Sequence, residues 1–409
     1  MNPSFQASMR RFSRACRFSL SCSVIFLLGS CASAGSREGE QEKVFYPEPP
    51  DPPRIQFLMA IADGEDLEGG PSGLDSLLFG GKKKGGKPLL RPFGVTFHEG
   101  KAYITDTRLG VVIIADLEKK KVDLAPVKGR GRTMKPMAVE VLEDGRILVA
   151  DAGRRQIVFY DRNWKYQAEW GPFGKGSVPV DVKVKGNRVY VVDGNRKGGS
   201  LRVLDLKTGK ELFVLGKKET RAEFLRGPTS VAVDDKGFIY VVDTIYCQVY
   251  VWDKDGNFVR HIGEPGDMAG QFGRPKGIGV SENLLFVLDT AFENCQLFDL
   301  DGRILMFFGG PGTGPGQMYM PAKIWVGDEG LEYFKDRIDP DFKAEHLILV
   351  TNQFGPNKLA FYALGHHKKF KYPKSELPEV PSKQAPEEDP AKKGPGAPRK
   401  GAGSGEMLD

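Results

Sequence analysis

Apolar residues recur in this chain with a period of two inside short runs, and the runs themselves recur. Six runs share one phrase: proline, two free positions, Val or Ile, one free position, then Val or Phe. They are Pro92-Phe93-Gly94-Val95-Thr96-Phe97, Pro136-Met137-Ala138-Val139-Glu140-Val141, Pro179-Val180-Asp181-Val182-Lys183-Val184, Pro228-Thr229-Ser230-Val231-Ala232-Val233, Pro275-Lys276-Gly277-Ile278-Gly279-Val280 and Pro321-Ala322-Lys323-Ile324-Trp325-Val326. The prolines stand 44, 43, 49, 47 and 46 residues apart. In the first five repeats a second apolar run ends in Asp106, Asp151, Asp193, Asp243 or Asp289, 14 or 15 residues after the proline. A third run closes at Asp116, Asp161, Asp205, Asp253 or Asp299, and a turn and a fourth run follow, as in Phe258 to Gly263 and Ile304 to Gly309. Short alternating runs between Asp-Gly and Gly-Lys turns predict half-buried antiparallel strands, four to a repeat.

A strand-rich repeat of ~40–50 residues predicts a β-propeller, so the expected class is all-β with six blades. The strand ends Val241-Val242-Asp243-Thr244 and Val287-Leu288-Asp289-Thr290, with turns such as Asp255-Gly256, resemble NHL repeats. The resemblance spans roughly residues 54–365 and implies a six-bladed disc of the NHL type. It implies little about activity, because this fold carries enzymes and binding modules alike.

Residues 1–31 read as an address. Arg10, Arg11, Arg14 and Arg17 precede an apolar stretch from Phe18 to Leu28, too short to span a bilayer. Leu28-Gly29-Ser30-Cys31 resembles a bacterial lipobox, which implies lipidation of Cys31; an ordinary signal cut near Ala34 is the alternative. Ala32 is not the Asp that, by resemblance to enteric lipoproteins, retains such proteins at the inner membrane, so the outer membrane is expected. Residues 32–53 form a Pro-rich stalk, unless Phe45 and Tyr46 dock on the propeller. The propeller is expected over 54–368.

Within it, Arg54 to Ile61 is a strand without a blade, and the sixth repeat lacks a fourth strand. Joining the two closes the ring, with Ile55, Phe57, Met59 and Ile61 on one face. The Gly-rich loop 63–88 carries Lys82, Lys83, Lys84 and Lys87. In the sixth repeat Thr351 stands where the Asp is expected, after an insertion around Leu331 to Glu345 that predicts a helical turn. Residues 369–409, rich in Pro, Lys, Glu and Gly, are expected to be disordered.

Composition changes this picture little. The chain is 27% charged and 40% apolar with 51 Gly, as a turn-rich β protein is, and its net charge of +6 does not argue for nucleic acid. A six-bladed lactonase binds calcium in its channel with Glu, Asn and Asp, and amidating lyases use zinc and His, by family resemblance. The residues after the prolines are Phe93, Met137, Val180, Thr229, Lys276 and Ala322, and Asp181 is the one carboxylate a position further on. One carboxylate is no calcium cage. His98, His261, His346, His366 and His367 show no zinc spacing beyond the adjacent last pair, expected past the final strand and solvated. The strand-end aspartates are expected to accept backbone N–H groups in the turns that follow. Cys247 and Cys295, on neighbouring blades, are expected as free thiols.

Basic residues gather on one face. Arg91, Lys135 and Arg274 precede prolines, Arg226 stands two before Pro228, and Lys276 follows Pro275. Arg108, Arg154, Arg155, Arg196 and Lys197 follow the strand-end aspartates. Both loop classes emerge at the same end of the channel, as a solvated charge set or as a docking face for an acidic partner or ligand.

These observations lead to the expectation of a non-catalytic, monomeric envelope lipoprotein without cofactor, binding protein partners or ligands. The alternative is a calcium-dependent propeller hydrolase, lactonase or lyase; an accessory of envelope electron-transfer or secretion machinery is a third. The anchor is directly testable. Cys31→Ser should leave the leader uncleaved or release the protein from the membrane fraction; an unmodified mature start elsewhere overturns the lipid anchor.

Overall fold

Each proline phrase folds as the innermost strand of an antiparallel sheet: Pro92–His98, Pro136–Val141, Pro179–Lys185, Pro228–Val233, Pro275–Ser281 and Pro321–Gly327. The computed structural model describes residues 43–68, 87–195, 198–217 and 223–372. The leader with Cys31, Lys82 to Lys84, Arg196, Lys197 and the tail beyond 372 lie outside the described residues. Blades 1 to 5 are four-stranded meanders running outward from the channel, and the inner strands neighbour one another in cyclic order. The chain is an all-β, six-bladed propeller.

Every inner strand begins with the same irregularity. The proline pairs with the end of the second strand, as in Pro179 with Asp193 and Pro275 with Asp289, and the register then shifts past the next residue. Proline has no N–H to give the ladder, so it is tolerated at the first residue of this channel-side edge strand. The bulge expels the following residue from the ladder and re-aims its side chain. Phe93, Met137, Val180, Thr229, Lys276 and Ala322 therefore define the mouth. Just below them the inner strands crowd together: a Cβ on Gly94 would stand 2.5 Å from the Met137 carbonyl oxygen.

The sixth blade has five strands, in the order Phe45–Tyr46, Ile55–Ile61, Leu359–His367, Phe342–Asn352 and Pro321–Gly327. The N-terminal strand thus closes the ring, pairing Ile55 with Leu364 and Ile61 with Leu359. Its faces differ from the alternation expected, because a bulge at Leu58 switches sides. Ile55 and Phe57 pack towards blade 5, whereas Leu58, Met59 and Ile61 pack towards blade 1. Phe45–Tyr46 lies outermost, with the Tyr46 hydroxyl donating to Gly316 O at 2.9 Å.

The insertion makes a short 3-10 turn, Leu331–Phe334, and then lengthens the next strand to 11 residues. Two expectations are corrected by that length. The partner of Pro321 is Asn352 rather than Thr351. The final strand reaches His367, which is buried against Phe45 and Phe370 instead of being solvated.

Six apolar cores fill the six spaces between neighbouring blades. Hydroxyls stitch the inner strands as well: Thr351 Oγ1 donates to Phe93 O at 2.6 Å, and Thr290 Oγ1 to Pro321 O at 2.9 Å. The closing strand supplies Leu58 and Ile61 to the core between blades 6 and 1. Leu58→Ala and Ile61→Ala should each destabilise by about 2–5 kcal/mol. Denaturant midpoints unchanged in both variants would show that the ring does not depend on this strand.

Candidate functional site

The strand-end aspartates hold the face on which the basic residues sit. Asp106 accepts the N–H groups of Leu90 and Arg91 on one oxygen and of Arg108 and Leu109 on the other. Asp151, Asp243 and Asp289 are engaged in the same way, each joining its own turn to the loop arriving from the previous blade. All are fully buried. Four backbone donors per carboxylate explain their repetition without any chemistry.

That frame brings part of the predicted basic set together. Lys276 Nζ lies 4.8 Å from the centroid of the Phe93 ring, reaching past blade 6 to blade 1. Burial, then the like charges of Arg274 and Arg91, pull its amine down to about 8. Arg91 stands over the Phe354 ring at 5.5 Å, and its Nε donates to Gln353 Oε1 at 3.2 Å. Phe354 and Tyr319 form a tilted pair at 5.9 Å on the rim. Lys358, whose amine burial also lowers, donates to the carbonyls of Leu90 and Gln353. Among the described residues no carboxylate forms an ion pair with Arg91, Arg274 or Lys276.

The other predicted residues separate into two groups. Arg108, Lys135 and Arg226 are exposed on the same face, away from any ion pair among the described residues. Arg154 and Arg155 are not free. Arg154 binds Glu169 and the Arg130 and Arg132 carbonyls, and Arg155 donates to Ser177 O and Gly174 O. Their guanidiniums are structural struts. Sequence reasoning missed Tyr319, which stands two before Pro321 as Arg226 stands before Pro228, and Phe354 and Lys358, which follow the insertion in blade 6.

Deeper in the channel, Lys323 reaches across from blade 6 to Asp181 of blade 3, and its Nζ also lies 2.7 Å from Ser230 Oγ. Asp181 accepts Ser230 Oγ–H and Val231 N–H, both at 2.9 Å, on the oxygen that faces Lys323, and Val182 N–H on the other. This carboxylate does not fit a calcium site: its oxygens are occupied by donors, and an ammonium already stands where a cation would sit. Below the plug a cavity of about 310 Å³ is lined by Glu140, Lys183, Lys323 and Trp325 among others, with Lys183 Nζ 2.8 Å from Glu140.

Elsewhere, Ser281 Oγ and Asp328 both face His346 Nδ1, at 3.5 and 2.6 Å. A proton relay needs acid and hydroxyl on opposite ring nitrogens. Asp339, Asp341 and His367 bring ligand-type atoms within 4.8 Å of one another, but Lys43 and Lys369 pair with the two aspartates. Cys247 and Cys295 are free thiols, half-buried and buried.

Comparisons with known proteins agree on the fold. A family model described as a 6-bladed beta-propeller matches residues 217–302. Protein brain tumor of Drosophila melanogaster is 27% identical over 138 residues, 32% of this chain and 13% of that protein. Among solved structures, the calcium-binding protein regucalcin of Agrobacterium tumefaciens is similar at 16% identity and a TM-score of 0.49, covering 70% of this chain and 94% of that one. A gluconolactonase of Xanthomonas campestris is similar at 15% and 0.48, over 78% and 90%. Virginiamycin B lyase of Staphylococcus aureus is similar at 14% and 0.47, over 67% and 95%. Likeness at these identities assigns no activity to this chain. The expectation of a non-enzyme is withdrawn all the same, because the solved structures it is similar to include a named gluconolactonase and a named lyase.

The plug yields a stability test. Lys323→Met leaves Asp181 buried without its counter-charge and should destabilise by about 3–5 kcal/mol. Adding Asp181→Asn should restore much of the loss. Additive effects in that double-mutant cycle would show that the two groups are not coupled.

Proposed function

We propose that the proline-side mouth of the channel binds an anionic ligand, carboxylate- or phosphate-bearing, through Arg91, Arg274 and Lys276. The observation that carries this reading is Lys276, set over half-buried Phe93 and near enough to Arg274 and Arg91 to feel their charge, with no ion-pairing carboxylate on any of the three among the described residues. Like charges held together are unfavourable unless an anion joins them, and arginine forks suit carboxylate and phosphate oxygens.

The lowered amine favours a second reading, a lyase-type elimination on the bound acid. Near pH 8 a share of Lys276 is neutral, and a neutral amine can take the proton from the carbon beside the carboxylate while a double bond forms to the next carbon and the substituent there leaves with its bonding electrons. No metal enters this reading.

Two further proposals come from the sequence. The repeats are of NHL type, which a likeness to brain tumor about three repeats long supports. The protein is tethered through Cys31 at a bacterial envelope, where its partners are proteins or ligands of that compartment.

Calorimetric titration with citrate and with phosphate tests the anion site. Arg91→Ala/Arg274→Ala should weaken binding about tenfold or more, at unchanged melting temperature, because both side chains are exposed. Lys276 holds its proton below about pH 8, so affinity should persist there and fall as pH rises through that value. Lys276→Arg should bind at high pH as at low, while abolishing any turnover that rises near pH 8. Neither anion binding, or binding indifferent to these variants, overturns the proposal.

A further inference from the structure

The two faces of the disc differ in their exposed apolar residues. Leu109, Met134, Ile245, Met268, Tyr319 and Phe354 are exposed large apolar residues, and all stand in turns or inter-blade loops of the proline side. The other exposed large apolar residues among the described ones, Leu124, Leu212, Val259, Leu305 and Phe307, lie on outermost strands. Exposed turn residues of the opposite face carry both signs, with Glu99, Glu143 and Glu282 alongside Lys120, Arg162 and Lys254. The proline side therefore combines exposed apolar turn residues with the cations of the mouth, and the other face does not.

The mouth is also stepped. Lys276 and Phe93 are half-buried at its floor, whereas Tyr319 and Phe354 are 44% and 41% exposed on the rim beside Arg91. A small anion resting on the floor would leave that rim in water. Exposed aromatic and aliphatic side chains next to arginine are the composition of partner-binding surfaces, where Tyr and Arg supply most of the anchoring. A flat bilayer could cover the rim without reaching Lys276; a side chain on a flexible backbone can do both.

We propose that the anion taken at this mouth is carried on a polypeptide: an acidic segment of a partner protein, whose carboxylates descend to Lys276 and Arg274 and whose apolar side chains pack on the Tyr319–Phe354 pair. The inference rests on the anion-site reading and adds the ligand class. Charge complementarity sets the approach and register, and the aromatic pair supplies the area that a bare carboxylate lacks.

Fluorescence anisotropy on the mature chain tests it, with a labelled peptide in which leucines interrupt a run of glutamates. The wild type should hold this peptide about tenfold tighter than a companion in which serines replace the leucines. Tyr319→Ser, which leaves the Phe354 ring beneath Arg91 in place, should erase most of that difference while binding citrate as the wild type does, which also reports that the mouth is still folded. Equal affinity for the two peptides, with citrate still bound, overturns the polypeptide inference and leaves the anion site standing. Loss of citrate and peptide binding alike in the wild type removes the anion site itself. Anionic phosphatidylglycerol vesicles, or single-stranded RNA, bound in preference to the leucine peptide would overturn the proposal in favour of a lipid or nucleic-acid surface.

Discussion

A four-stranded sheet with two apolar faces cannot end in water, and that constraint governs the whole molecule. Each blade buries one face against the blade before it and the other against the blade after, so the stack is stable only as a closed ring. Closure falls on the core between blades 6 and 1, where Leu58 and Ile61 from the N-terminal strand meet Phe97, Ile104 and Ile113 of blade 1. Three side chains of that strand, Ile55, Leu58 and Ile61, are almost wholly buried. At ~1.5–3 kcal/mol each their gross contribution is of the order of a typical domain's net stability, about 5–15 kcal/mol. Extended-chain reference states make this an upper bound, yet the comparison explains why a strand from one end of the repeat array belongs to the blade at the other.

The same closure creates the site. Inner strands approach so closely at the channel that the position below the mouth tolerates little, as Gly94 illustrates. Each proline at the strand start forces a bulge, and each bulge turns one side chain out of the ladder. The buried aspartates then hold the surrounding loops at fixed height through backbone donors. Lys276 and Phe93 are thus positioned by backbone geometry common to all blades; only the identity of the expelled side chain is particular to each. A rigid scaffold of this kind can carry different chemistry without change of fold.

Blade number, strand order and ring closure were legible because a repeat states each rule six times, and so was the backbone role of the strand-end aspartates. The Leu58 bulge was not: an apolar strand buried on both faces reads the same in either register, so alternation alone could not locate the switch. Asp181 and Lys323 occupy the same position of the third and sixth phrases, and a ring of six sets those blades opposite. That ion pair was readable in principle and was missed by weighing carboxylates without their counter-charges. Arg154 and Arg155 show the reverse failure, since exposure cannot be inferred from a loop position when nearby carbonyls and Glu169 capture the guanidinium. Phe354 lay beyond reach because the insertion in blade 6 destroys the spacing that aligned the other blades, whereas Tyr319, two before Pro321, was aligned and was passed over because only basic residues were weighed at that position.

The plug and the mouth carry opposite electrostatic logic within one channel. At the plug a buried ammonium meets a carboxylate, and a serine hydroxyl satisfies both, so the charges cancel locally and need nothing from outside. At the mouth Lys276 feels the like charges of Arg274 and Arg91, and burial first, then that repulsion, lowers its amine. Charge left uncompensated by the fold represents interaction energy available to a ligand. Lys323 bridges the channel between the two ends, so its ion pair with Asp181 stands between the proposed mouth site and the cavity beneath, which that pair lines together with Glu140 and Lys183.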